Sequence, residues 1–171
     1  DAIAIFTSRH THFPFAEAAL LPGKDVYCAV PAAESLEQLE ELATLVKQSG
    51  RIYMLAETSH DYPQVVYCRR KFQSGAFGRV VYAEGEYNHA LDAGNGPLYD
   101  VYKTSHGKDW RRFAGMPPMH YATHSFSAIL SITGARVERL SCFGFDDQKH
   151  SDEVYGSGRN FGGNPFSNES A

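Results

Sequence analysis

The chain has 171 residues, with Lys+Arg 16 against Asp+Glu 20 and a formal net charge of −4. That length suits one ordinary domain or portions of two, and 43% hydrophobic with 13% aromatic residues is too rich for a disordered chain. The mild acidity, with no basic run longer than Arg69-Arg70-Lys71, excludes sequence-independent nucleic-acid binding, which needs clustered positive charge. No apolar run approaches the roughly 20 residues that span a bilayer, so no membrane partner is expected. The first residues lack the basic start and long apolar stretch of a secretory signal. Cys28, Cys68 and Cys142 lie outside any Cys-x-x-Cys pair and read as reduced thiols, so the expected location is the cytoplasm.

Ala2 to Phe6 is a continuous apolar run, as in a strand buried on both faces of a parallel sheet. A short helix is expected from Phe15 to Leu21, stopped by Pro22-Gly23, and a second buried strand from Asp25 to Val30. Ser35 with Gln38 forms a capping-box signature. Leu36, Leu39, Leu42, Ala43 and Val46 share one face of the helix that follows, and Gly50 ends it. Ile52 to Ala56 is a third strand. Alternation of strand and helix with short connections is the pattern of a parallel α/β sheet, and ligands of such sheets sit beyond the carboxyl ends of the strands. Those ends carry Thr7 to His12, Ala29-Val30-Pro31 and Glu57-Thr58-Ser59.

A longer helix is expected from Pro63 to Ser74. From Arg79 to His89 apolar and polar residues alternate, which predicts a strand of an antiparallel sheet with one wet face. The Gly/Pro/Tyr-rich stretch from Asp92 to Pro118 reads as an ordered loop, functional or inserted. A helix from Tyr121 to Thr133 and a strand from Val137 to Phe145 follow, and the polar, glycine-rich stretch 146–170 is expected to be partly mobile.

His120 and His124 are four apart and share a helix face if both are helical. Three readings stand: a divalent metal pair, Tyr121 and His124 as proton-transfer groups, or hydrogen-bonded core residues. No glutamate lies between the histidines and no third ligand is evident, so no metal is expected. His10 and His12 flank the first strand end and read as crevice residues or helix-start polar groups. Glu57, ending a buried strand, marks a site because an unpaired buried carboxylate is costly. Trp110 beside Arg111 and Arg112 could clamp an anionic or aromatic ligand, or fasten the loop through the indole. The chain contains no G-x-G-x-x-G, G-x-S-x-G or P-loop.

In order and spacing these segments resemble the glucose–fructose oxidoreductase, inositol dehydrogenase and rhizopine-catabolism (Gfo/Idh/MocA) family. The resemblance rests on Asp1 to His12, Gly23-Lys24-Asp25-Val26 through Pro31, Ser49-Gly50-Arg51-Ile52 through Glu57, Gly75 to Tyr87, and Tyr121-Ala122-Thr123-His124-Ser125 through Gly144. It implies an α/β fold: the C-terminal half of an NAD(P)-binding Rossmann domain at 1–60, then the N-terminal part of a catalytic domain with an open, mainly antiparallel sheet at 61–171. The glycine fingerprint then lies outside the chain, and activity is expected to need residues outside it. Carried over by position, Thr7, Ser8, His10, His12, Ala29, Glu57, Trp110 and Arg111 would line the NAD or NADP site. His120, Tyr121 and His124 would form the catalytic group.

The family has Glu-Lys-Pro where this chain has Ala29-Val30-Pro31, and Val30 can neither donate nor accept a proton. A branch of NAD-dependent glycosidases acting on N-acetylgalactosaminides has Glu-Val-Pro there and looks similar around Tyr121 to His124. The resemblance therefore implies an oxidoreductase acting on a sugar or cyclic polyol. Glycoside cleavage through transient oxidation at C3 is the alternative, and non-catalytic binding of a sugar or protein is a third reading. It also implies homo-oligomers paired through the second-domain sheet.

Overall fold

The computed structural model describes residues 1–88, 97–110, 122–145 and 168–170. In chain order these form β1 (Ala2–Ile5), α1 (His12–Leu20), β2 (Asp25–Cys28), α2 (Leu36–Ser49), β3 (Tyr53–Leu55), α3 (Pro63–Gln73), α4 (Pro97–His106), α5 (Ala122–Thr133), β4 (Phe143–Phe145) and β5 (Asn168–Ser170). They divide into two compact units, one of Asp1–Gly85 with Thr123–Ala135, the other of Glu86–Ala122 with Arg136–Ala171.

In the first unit β1, β2 and β3 form a parallel sheet in that order, with Ile3 opposite Val26 and Val26 opposite Tyr53, and Ile5 opposite Cys28 and Cys28 opposite Leu55. The two successive crossovers step in one direction, so their shared handedness lays α1 and α2 on the same face. There Ile5, Val26 and Cys28 meet Phe13, Ala16, Ala19, Leu20 and Leu42 in the core. Burying each of the larger side chains contributes about 1.5–3 kcal/mol. The opposite face presents Tyr27 and Met54, 37% and 54% exposed. The expectation of strands covered on both faces is thereby corrected for the described residues, because both crossover helices fall on one side.

Local chemistry sets the element ends. α1 begins at His12, earlier than expected, because Pro14 sits in the first turn, where a backbone N–H has no intrahelical acceptor to lose. α2 starts where Ser35 Oγ accepts from Gln38 N at 3.2 Å, while Gln38 Oε1 reaches back to Glu34 N at 3.0 Å. It stops at Gly50, whose φ of 62° favours a residue without a Cβ. The strand expected from Arg79 to His89 forms no sheet pairing over 79–88, and the one expected from Val137 pairs only at Phe143–Phe145. Alternation marks a chain able to pair, whereas a strand also needs a neighbour's backbone.

In the second unit, part of the stretch read as a loop is the helix α4, followed by one 3₁₀ turn at Gly107–Asp109. Pro97 at its first position suits a helix start. Trp110 is buried, and the Lys103 ammonium lies 5.2 Å from its ring centroid. β4 and β5 pair antiparallel, Phe143 opposite Ser170. Among the described residues no helix is long and apolar enough to cross a membrane.

Candidate functional site

The loops after β1, β2 and β3 leave the same edge of the parallel sheet, as the direction of the strands requires. After β1, Thr7 Oγ1 lies 2.6 Å from Thr11 Oγ1, and Ser8 precedes a 3₁₀ turn, Arg9–Thr11, that holds the half-buried His10. After β2, Ala29 N donates to Ile5 O. The side chains of Arg9 and Glu34 form an ion pair at 3.3 Å and are almost fully buried, binding the first two loops together. His12 sits beneath both loops. Its Nδ1 is 2.7 Å from Pro31 O and its Nε2 is 2.9 Å from Thr7 O, so both ring nitrogens face backbone carbonyls.

After β3, Glu57 caps the 3₁₀ turn Thr58–Asp61, its Oε1 accepting from Ser59 N at 2.9 Å. The same oxygen lies 2.5 Å from Ser59 Oγ and 2.8 Å from His124 Nδ1 of α5. Ser59 has one hydroxyl proton. Directed at the carboxylate, it leaves Ser59 Oγ to accept from Ser127 Oγ, 3.0 Å away and three residues beyond His124 on α5. Burial pushes the Glu57 carboxyl up. The Ser59 hydroxyl, Thr123, His124 and the Ser59 amide together outweigh burial and hold it below the usual carboxylate range. An ionised carboxylate only accepts, so the proton shared with His124 resides on Nδ1 and the remaining exchange of the ring runs through Nε2.

A second set of contacts holds α5 one turn further on. Arg69 of α3 donates to His60 O at 2.6 Å and contacts Asp61 Oδ1 at 3.2 Å and the Ser131 hydroxyl, while Ser131 Oγ donates to His60 O at 3.1 Å. Gly85 adds a close approach, since a Cβ there would run into the Ser125 carbonyl. Beside the dyad lies a cleft of about 720 Å³ whose wall includes Tyr27, Met54, Glu57, Thr58, Thr123 and Ser127. A cleft of that volume is large enough for a cofactor-sized ligand.

Of the residues singled out from sequence, Glu57 and His124 meet directly. Thr7, Ser8, His10, His12 and Ala29 lie on the first two loops or beneath them, and Trp110 belongs to the second unit. His120, Tyr121 and Arg111 lie outside the described residues. Sequence reasoning placed Ser59 at a strand end without giving it a role, and missed Thr123, Ser127 and Arg69 as site residues. Ser127 could have been found from its three-residue spacing from His124, but Arg69 carries no local signal.

Residues 1–57 match the family model described as the oxidoreductase family with an NAD-binding Rossmann fold. Over residues 1–57, then, the chain matches the Gfo/Idh/MocA oxidoreductase family. A relative named glycosyl hydrolase family 109 protein 5, from Phocaeicola vulgatus, is 32% identical over 135 residues, 75% of this chain and 25% of the relative. The D-xylose dehydrogenase of Paenarthrobacter nicotinovorans is 36% identical over 80 residues, 45% of this chain and 20% of the relative. Among solved structures, an inositol dehydrogenase homolog from Azotobacter vinelandii complexed with NADH and myo-inositol superposes with a TM-score of 0.66 at 20% identity, covering 87% of this chain and 37% of the other. An aldose-aldose oxidoreductase from Caulobacter crescentus gives 0.67 at 22%, covering 92% and 44%. At these identities the two likenesses show the fold alone. The chain spans a quarter or less of the length of the first curated relatives it matches.

Proposed function

We propose that the protein is an NAD(P)-dependent oxidoreductase acting on a sugar or cyclic polyol, with His124 exchanging the substrate proton and Glu57 fixing its ring. The observation that carries this reading is the 2.8 Å contact between His124 Nδ1 and Glu57 Oε1 beside the cleft at the sheet edge. The strand-end loops support a cofactor site there: ligands of parallel sheets bind beyond the carboxyl ends of the strands, and these loops carry Thr7, Ser8, His10 and Ala29. The chain contains no G-x-G-x-x-G to cradle a pyrophosphate, so residues 1–60 are read as the second half of the nucleotide domain and 61–171 as the start of the catalytic domain. When bound, the nicotinamide supplies the hydride acceptor or donor.

On this reading an alcohol of the substrate loses its proton to His124 Nε2, and the carboxylate of Glu57 stabilises the imidazolium that forms. Ser59 and Ser127 hold the dyad in register. His120 and Tyr121 are proposed to complete the catalytic group, and Trp110 and Arg111 to approach the nicotinamide side. Pairing through the second-domain sheet and a cytoplasmic location complete the reading.

Val30 favours a second version. Without a lysine at that position the reaction lacks one proton carrier, as in the glycosidase branch, and several relatives carry a glycosyl hydrolase family 109 name. There the same first oxidation would precede loss of the leaving group, addition of water and return of the hydride. Assay of the whole protein with NAD and NADP against sugars, polyols and glycosides separates the two. NADH or NADPH formed in step with substrate supports the first version, and glycoside consumed with unchanged NADH supports the second. Turnover of neither class, in a protein shown to bind NADH, overturns both.

A further inference from the structure

His12 is 2% exposed, and each of its ring nitrogens faces a backbone carbonyl at hydrogen-bond distance. A carbonyl oxygen can only accept, whereas a neutral imidazole has one N–H and one lone pair. In the neutral form one contact would therefore set lone pair against lone pair at less than 3 Å, in a place that water does not reach. Rotating the ring by half a turn would replace N–H donors by C–H groups and lose both bonds. Only the imidazolium satisfies both acceptors. We propose that His12 is a positively charged positioning residue that ties the loop after β1, through Thr7, to the loop after β2, through Pro31.

The groups around it are consistent with a retained charge. The titratable group facing the ring from β2 is the Cys28 thiol, fully buried, and Tyr53 of β3 reaches the same thiol. The nearby Arg9 and Glu34 side chains pair with each other and add no net charge to the loops. Burial pushes the imidazole down, but Cys28 and the two carbonyls outweigh it and raise it above its ordinary value. A raised value means that the latch is fully closed below the ordinary imidazole range and is lost as pH rises through the folded-state value. The two loops it holds are those proposed to flank the nucleotide. That use rests on the functional reading above, whereas the charge does not.

The test is nitrogen NMR of the protein carrying labelled histidine. Expected is one slowly exchanging ring, assigned to His12, that keeps both nitrogens protonated above the range where an ordinary imidazole is charged. In thermal melts wild type should lose stability as pH rises through the raised folded-state value, and His12→Gln, which removes the ionisable ring, should lose the same increment at no pH. A His12 ring with a single proton at neutral pH overturns the proposal, and this measurement needs only wild-type protein. The signature in a protein that binds no NADH supports the latch and counts against the nucleotide reading alone.

Discussion

α2 and α5 belong to the same compact unit and have similar lengths, yet they are held in place by opposite means. α2 is bounded by its own neighbours: Ser35 and Gln38 cap its start, Gly50 ends it, and Leu42 anchors it in the core. α5 has no fully buried residue. Its position is set by partners about 60–70 positions away, namely Glu57, Ser59, His60 and Arg69. The element whose bounds are local carries scaffold, and the element whose position is non-local carries the candidate chemistry.

The strongest way to sharpen that contrast is to remove its chemical end. His124→Ala should lower turnover of the whole protein by roughly 10²–10⁴-fold, as expected for loss of a proton-transfer group, while costing only about 1–3 kcal/mol of stability for the partner that Glu57 loses. Equal losses of folding and turnover would make His124 a packing residue. Next in size, Gly85→Ala places a methyl group against the Ser125 carbonyl and should destabilise by about 1–3 kcal/mol, as overpacking does. Urea melts measure it, and an unchanged midpoint would show that 79–88 does not bear on α5.

Ser35→Ala removes the α2 cap and should cost about 1 kcal/mol, with turnover unaffected. A loss of activity from this distant change would break the division between scaffold and site. The smallest effect concerns acid. Glu57 is held below the usual carboxylate range, so its contribution to stability is present above the unfolded-state value and disappears as pH falls through the folded-state value. Melting wild type and Glu57→Gln across the acid range should therefore show curves that converge at low pH. Curves that stay parallel would mean that the carboxylate is not ionised in the folded protein.

The same contrast explains what could be read from residues alone. β1, β2, β3 and α2 were legible because apolar runs, a cap and a stop glycine are contiguous signals. α4 was hidden by the glycines around it, although Pro97 at a first position and the Asp100/Lys103 spacing were available. At the site, Glu57 stood out as a carboxylate ending a buried strand and His124 as part of a histidine pair. Their meeting did not, because nothing in either segment encodes a partner 67 positions away. The double use of His12 was equally invisible, since its acceptors are backbone carbonyls that every residue possesses.

The long sequence separation between Glu57 and His124 also has a kinetic meaning. Closing a chain loop costs entropy that grows with its length, so contacts between distant segments form after local ones. α1 and α2 can settle on β1, β2 and β3 before α5 arrives, and with no fully buried residue α5 has the least to hold it when the unit breathes. Amide hydrogens of α5 should accordingly exchange with solvent faster than those of α2. The chemistry would then be the last part of the unit to assemble and the first to come apart.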